Sequence, residues 1–108
     1  MNSIFLPLVN HPCTSSGFST AYPESSLIGC VNNDNCKNHG TRLKASNACF
    51  SSGSDCGGII NAGRDHWEIR EGIVPMWLHP NNATGLVEGY YPADEAIFHA
   101  SYVKCGGK

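Results

Sequence analysis

Residues 30–56, CVNNDNCKNHGTRLKASNACFSSGSDC, contain four of the six cysteines of this 108-residue chain, and the state of their sulfurs decides the kind of fold. Structural zinc sites usually pair their ligands across about two to four residues, and no two cysteines here have that spacing. The set closest to a metal site is irregularly spaced and consists of Cys30, Cys36, His39 and Cys49. An even number of cysteines in a small domain instead favours disulfides. The sequence therefore predicts three bridges, with no metal and no cofactor.

The order of the cysteines along the chain leaves the pairing open. Cys105 lies far from the others in sequence, so its bridge closes a long loop whichever partner it has. Disulfides persist in oxidising compartments, which predicts a secreted, extracellular protein. The N-glycosylation acceptor sequence at Asn82, in a turn-forming segment, agrees with that compartment. The predicted half-cystines are Cys13, Cys30, Cys36, Cys49, Cys56 and Cys105.

Composition limits the fold and the partners. Charged residues make up 15% of the chain, against about 25% in ordinary domains, so Gly, Asn and Ser must supply much of the polar surface. These residues favour tight turns. The net charge is −2 and the basic residues are scattered, so we expect no duplex nucleic acid partner. No stretch approaches the ~18 apolar residues of a membrane span, and residues 1–108 are expected to form one domain.

The C-terminal half has the pattern of an antiparallel sheet. HWEIRE, residues 66–71, alternates strictly between apolar and polar, which predicts a half-buried strand. Residues 73–79 and 85–91 are predicted to be two further strands that complete a meander with the first. Residues 92–105 fit a helix that begins at Pro92, and residues 96–105 fit a strand nearly as well.

The N-terminal half is expected to be rich in loops. Residues 1–29 contain short apolar runs broken by proline, which favours a strand near Ile4–Val9 and extended chain along a surface. Thr41 is predicted to cap a short helix over residues 42–50, with Leu43, Asn47 and Phe50 on one face. The fold class predicted from both halves is α+β: a small disulfide-bonded domain with a C-terminal antiparallel sheet.

One polar face could carry chemistry. His66, Glu68 and Arg70 alternate along the predicted strand, about 7 Å apart, so a proton acceptor, a proton donor and an anion-binding guanidinium would lie in a row. Metal-independent ribonucleases combine these groups. The alternative is an ordinary solvent-exposed strand face, in which Glu68→Gln would change stability by only a few tenths of a kcal/mol.

Aromatic residues are concentrated in the C-terminal half. They could form a surface that binds a sugar or a protein, or they could form the core of a small sheet. The candidate binding residues are Trp67, Trp77, Tyr90 and Tyr91.

Three functions are compatible with these features. We favour a secreted small cysteine-rich protein that binds a protein or carbohydrate partner, as an effector, toxin or lectin-like module. The second is a secreted hydrolase of the ribonuclease type using His66, Glu68 and Arg70. The third is a structural coat or assembly subunit, which the low charge content favours.

The cysteine count gives a direct test. We expect all six thiols to be oxidised, so alkylation of the denatured, unreduced protein should leave its mass unchanged, and alkylation after reduction should add six labels. Mass spectrometry of the intact protein measures both. Labelling of two or more thiols before reduction would contradict the disulfide prediction.

Overall fold

The computed structural model describes residues 13–78, 80–81, 86–87, 91–92 and 99–107, in which one helix packs against a four-stranded antiparallel sheet. The helix, α1, spans Arg42–Ser51 and is followed by a short 3-10 turn at Gly53–Asp55. The strands are β1 Tyr22–Pro23, β2 Ser25–Ser26, β3 Gly58–Ala62, β4 Trp67–Arg70, β5 Met76–Trp77, β6 Pro80–Asn81, β7 Leu86–Val87, β8 Tyr91–Pro92 and β9 His99–Val103.

The four-stranded sheet has the order β1-β9-β3-β4, so the last strand of the chain lies inside it. β3 pairs with β9 along its whole length, from Gly58 opposite Val103 to Ala62 opposite His99. On its other edge β3 forms a hairpin with β4. Two smaller sheets, β2-β5 and β6-β7-β8, complete the described strands.

Helix α1 covers one face of this sheet. The side chain of Thr41 accepts a hydrogen bond from the Lys44 amide at 3.1 Å, which confirms the predicted cap. The buried residues of the helix are Ala45 and Cys49, one turn apart, and they pack in one cluster with residues of β3 and β4. This cluster consists of Phe18, Val31, Ala45, Cys49, Cys56, Ile59 and Ile69.

The face of helix α1 that carries Leu43 and Phe50 is not its buried face. Leu43 is 70% exposed and Phe50 46% exposed. The bridge between Cys49 and Cys56 ties the helix to the segment leading into β3, so the side of α1 that carries Cys49 faces inward. A short covalent link to the segment before β3 therefore selects the buried face of this helix.

The opposite face of the sheet has a second apolar cluster of Leu27, Ile60 and Val103, with Tyr22 packed against it. Leu27 and Phe18 are almost completely buried, so the expectation that the first 29 residues lie along a surface is wrong for these two positions. Both faces of the four-stranded sheet are therefore covered.

The three predicted disulfides are confirmed. Cys13 is bonded to Cys105, Cys30 to Cys36, and Cys49 to Cys56. The bridge of Cys105 spans 92 residues and ties the C-terminus to the start of the described chain, as its position predicts. These bonds also exclude the metal-like set, because its three cysteine sulfurs are not available as thiolates.

The α+β class is confirmed. Of the two alternatives for the C-terminal segment, residues 99–103 form the strand, in which buried His99, Ser101 and Val103 alternate with less buried residues. The predicted meander is wrong. β4 joins the large sheet, the strand within 73–79 pairs with β2, and the strand within 85–91 pairs with β6 and β8. The predicted strand at residues 4–9 lies outside the described residues, and the single domain over 1–108 stays a prediction.

Lys104 is a buried cation held by the backbone. Its side chain is directed to the 3-10 turn, where Nζ donates to the carbonyl oxygens of Gly53 at 2.5 Å and Cys56 at 3.2 Å. Carbonyl acceptors at the end of a helical segment compensate part of the cost of burying an ammonium group. The chain following β9 is thereby fixed against the end of the helical region.

The bridges differ most in the loops that they close. We expect the double variant Cys13→Ser, Cys105→Ser to lower the free energy of unfolding by about 4–5 kcal/mol, because that bridge restrains most of the chain in the unfolded state. Cys30→Ser, Cys36→Ser is the matched control, and its loop of sequence separation 6 predicts a loss of about 2 kcal/mol. Denaturant unfolding measures both. Equal losses of unfolding free energy in the two variants would contradict the dependence on loop length.

Candidate functional site

The side chains of β4 on the face opposite the helix form a continuous polar network. Oε1 of Glu68 accepts from Arg70 Nε at 3.0 Å and Nη2 at 2.6 Å. Oε2 of the same carboxylate lies 2.5 Å from His66 Nε2. Arg70 Nη1 donates to the carbonyl oxygen of Leu27 at 3.0 Å. The three sequence-predicted residues are thus in direct contact, with the carboxylate in the centre.

Glu68 is buried, which corrects the expectation of an exposed polar face. It is 8% exposed and lies directly opposite Ile60 in the β3–β4 ladder. Directly opposed residues share a face, so the carboxylate extends beside the cluster that contains Ile60 and Leu27. A buried carboxylate needs compensating donors, and Arg70 and His66 provide them. The strand pattern places these groups on one face, and the chain at Leu27 covers the part of that face that carries Arg70 and Glu68.

The network fixes the orientation of the His66 ring. An ionised carboxylate only accepts hydrogen bonds, so His66 Nε2 carries the proton in this contact and Nδ1 is the basic nitrogen of the neutral ring. The side chain of His66 is 42% exposed, and Nδ1 makes no hydrogen bond within the described part of the chain. The network therefore runs from the buried Arg70 through Glu68 to an imidazole that solvent can reach.

Arg70 is less available than the sequence suggests. Its side chain is 14% exposed, and Nε, Nη1 and Nη2 each donate to Glu68 or Leu27. Its predicted anion-binding role stays a prediction. In this geometry the guanidinium acts on the Glu68 carboxylate.

Two further residues belong to the surroundings of His66. Arg64 is exposed in the turn between β3 and β4 and has no ion pair among the described residues. On one side, Ala62 lies opposite His99 of β9. On the other side, the Ala62 amide donates to the His66 carbonyl at 2.8 Å. The two histidines therefore lie in one row across the sheet, with β3 between them. His99 is 1% exposed. Sequence reasoning missed this row because it depends on the β3–β9 pairing.

A second histidine–carboxylate pair lies beside the outer edge of β4. His39 Nε2 is 2.7 Å from Asp34 Oδ1, and both side chains are about nine-tenths buried. The amide of His39 donates to the Trp67 carbonyl at 2.7 Å, which attaches this loop to β4. The pair was not predicted, because the Cys30–Cys36 bridge and several left-handed residues fold the loop back on itself.

Of the four predicted aromatic binding residues, the structure describes the surroundings of Trp67 and Trp77, which differ. Trp67 packs against the core on the helix side, with its ring 5.8 Å from Tyr102. Trp77 on β5 is 62% exposed. Tyr90 lies outside the described residues, and Tyr91 is described only as part of β8. Asn82 also lies outside the described residues, so its place in a turn and its glycosylation stay predictions.

Sequence reasoning missed a group of exposed apolar residues, here called the apolar ribbon, that the fold brings together from two distant parts of the sequence. A 2.9 Å hydrogen bond from the Gly72 amide to the Ile28 carbonyl places residue 28 beside the start of segment 73–77, whose strand β5 pairs with β2. Each large side chain of the ribbon is between 36% and 62% exposed. The apolar ribbon consists of Ile28, Ile73, Val74, Met76 and Trp77.

The described residues contain no group of three or more His, Cys, Asp or Glu side chains placed to hold a metal ion. Among the same residues, no helix has the length and apolar content needed to cross a bilayer.

Burial of Glu68 changes the expected result of its substitution. We expect Glu68→Gln to lower the free energy of unfolding by about 2–4 kcal/mol, because the charge of Arg70 would remain buried without its carboxylate. Glu71→Gln is the matched control: Glu71 is exposed and has no ion pair among the described residues, so a change within about 0.5 kcal/mol is expected. Denaturant unfolding near neutral pH measures both. A neutral Glu68→Gln would show that the network does not stabilise the fold.

No protein-family model, curated protein or solved structure matches this chain. The function is therefore argued from the side chains themselves. The buried Glu68 network with its exposed His66 ring and the apolar ribbon are the observations on which that argument depends.

Proposed function

We propose that this chain is a secreted cysteine-rich protein that acts by binding a protein partner through the apolar ribbon. The observation that carries the proposal is the concentration of exposed apolar residues in two backbone segments, residue 28 and residues 73–77, that the fold places side by side. Five of the seven large hydrophobic residues that are exposed in the described part of the chain lie in the ribbon. The other two, Leu43 and Phe50, lie on helix α1.

Physical chemistry favours an interface at this position. Scattered exposed apolar residues are normal on protein surfaces, but a contiguous group of them is typical of a binding site. No charged residue occurs between positions 72 and 78. Trp and Met are enriched in the centres of interfaces, where they bury a large area, and both occur on β5. Trp77 is the expected anchor because it is the largest of these side chains.

The ends of the ribbon indicate the charge of the partner. Glu71 is exposed directly before Gly72, and Glu24 directly precedes β2. Carboxylates at the rim of an interface favour a partner with basic groups around an apolar centre, and they contribute to specificity and association rate. The proposed partner is therefore a protein that presents an apolar patch with Lys or Arg at its edge.

A protein partner fits the ribbon better than a carbohydrate does. Sugars are bound by aromatic faces combined with several directed hydrogen-bonding side chains. The ribbon contains one aromatic residue, Trp77, and its other members are Ile, Val and Met. Trp67, which could have added a second aromatic face, packs against the helix. An effector or toxin acting on a protein is thus favoured over a lectin-like module.

The disulfides support secretion as part of the same proposal. Three bridges, including one that spans 92 residues, require an oxidising compartment to persist. Glycosylation at Asn82, if the host cell glycosylates this acceptor sequence, belongs to the same proposal.

Photo-crosslinking tests the surface and identifies the partner. A benzophenone amino acid is introduced at position 77, within the ribbon, or at position 43 on the helix as a matched control, since Trp77 and Leu43 are 62% and 70% exposed. The expected result is one protein that crosslinks from position 77, is displaced by excess unlabelled protein, and does not crosslink from position 43. Displaceable crosslinking from position 43 alone would contradict the proposal.

Titration with the purified partner then gives the contribution of Trp77 to the binding free energy. We expect Trp77→Ala to weaken the affinity by at least about 30-fold, which corresponds to a hot-spot residue worth about 2 kcal/mol, and Leu43→Ala to change it less than about 2-fold. Calorimetric titration of both folded variants measures this difference. Equal affinity of the two variants would overturn the proposal. Saturable binding to an oligosaccharide alone would also overturn it. A concentration-dependent homo-oligomer that Met76→Glu dissociates would overturn it as well, because it would indicate an assembly subunit.

A further inference from the structure

We propose that this protein cleaves single-stranded RNA and that His66 is the catalytic general base. Glu68 positions the His66 ring, and Arg64 contacts the phosphate. This activity would be carried by a different part of the surface from the apolar ribbon and does not depend on partner binding. It rests on the geometry of the polar network and on the groups at the solvent-exposed end of that network.

The network has the arrangement that a general base requires. Glu68 accepts from Nε2 of His66 at 2.5 Å, and this contact leaves Nδ1 as the basic nitrogen on a ring that is 42% exposed. Arg70 holds the other oxygen of the carboxylate with two donors, so the carboxylate cannot rotate away without losing both bonds. A buried, doubly held carboxylate behind an exposed imidazole fixes the tautomer and direction of the ring.

The other histidine–carboxylate pair shows which feature matters. His39 and Asp34 are 2.7 Å apart, but their side chains are only 11% and 10% exposed, so a substrate cannot reach that ring. His99 is 1% exposed and is excluded for the same reason. Among these three histidines, His66 alone combines a carboxylate contact with access from solvent.

The surroundings of His66 favour a substrate that contains its own nucleophile. Among the described residues, no serine, threonine or cysteine side chain takes part in the network, so the described groups supply a base and charge but no attacking atom. RNA carries a 2′-hydroxyl next to each phosphodiester, and deprotonation of that hydroxyl is sufficient to start cleavage. Arg64 is exposed two residues before His66 and has no ion pair in the described chain, and we assign it the contact to the phosphate.

The proposed step conserves atoms and charge. His66 Nδ1 takes the proton of the 2′-hydroxyl while the 2′-oxygen forms a bond to phosphorus. The bond between phosphorus and the 5′-oxygen breaks, and the leaving oxygen takes a proton from water. The imidazolium then returns its proton to solvent, and the products are a 2′,3′-cyclic phosphate and a free 5′-hydroxyl. No oxidant or reductant is needed.

The ring geometry is tested without any substrate. Nitrogen-15 chemical shifts of the histidine rings at a pH where His66 is neutral should show the proton on Nε2 of His66 in the wild type. In Glu68→Gln, at a temperature where circular dichroism shows the variant folded, we expect a mixture of both tautomers. Protonation of Nδ1 in the wild type would overturn the assignment, because the basic nitrogen would then face Glu68.

Activity is tested on an unstructured RNA oligonucleotide and on its all-deoxy equivalent. The wild type should cleave only the RNA and leave a 2′,3′-cyclic phosphate end. We expect His66→Asn to lower the rate by roughly 10²- to 10⁴-fold, and His39→Asn, with its folded fraction measured, to retain it within about 2-fold. Arg64→Ala should raise the KM with a smaller effect on kcat. Absence of wild-type cleavage, equal cleavage of the DNA, or full activity of His66→Asn would overturn the proposal, and none of these outcomes bears on binding through the ribbon.

Discussion

The pairing of β9 on both of its edges is the constraint on which the rest of the structure depends. This five-residue strand lies between β1, from the beginning of the described chain, and β3, from its middle. Val103 contributes to the cluster on one face of the sheet and Tyr102 packs against the cluster on the other. Without β9, neither core would be complete, and Cys105 would not be brought next to Cys13.

Both faces of this sheet are covered, so polar side chains that would be exposed on a one-sided sheet are buried. Each of them therefore requires a hydrogen-bond partner. The buried hydroxyl of Ser25 donates to that of Ser101 at 2.9 Å, and the Ser19 hydroxyl accepts from the Val103 amide. Glu68 is stabilised in the same way by Arg70 and His66. Burial of polar groups with partners specifies the register of the strands as well as stabilising them. The apolar side chains that this core does not enclose are concentrated in the apolar ribbon.

The parts of the fold that could be predicted from the sequence are those that depend on local pattern or on counting. The even number of cysteines predicted the bridges, alternation predicted the strand that carries Glu68, and Thr41 marked the start of the helix. The burial of Glu68 could not be predicted, because it depends on Leu27, about forty residues earlier in the chain. Residues 99–103 have a pattern compatible with either a helix or a strand, and only their pairing with β3 decides between the two. The apolar ribbon is hidden in the sequence for the same reason, since it requires β2 to pair with β5.

The central position of β9 also determines when the chain can fold during its synthesis. The ribosome makes the protein from its N-terminus, so β1, β3 and β4 emerge before the strand that must be inserted between β1 and β3. Until residue 103 has left the ribosome, the facing edges of β1 and β3 have no partner, and an unpaired edge can pair with another chain. The short-range bridges, Cys30–Cys36 and Cys49–Cys56, need only residues that are already available. Oxidation of those two pairs can therefore restrict the chain before β9 emerges and the sheet closes.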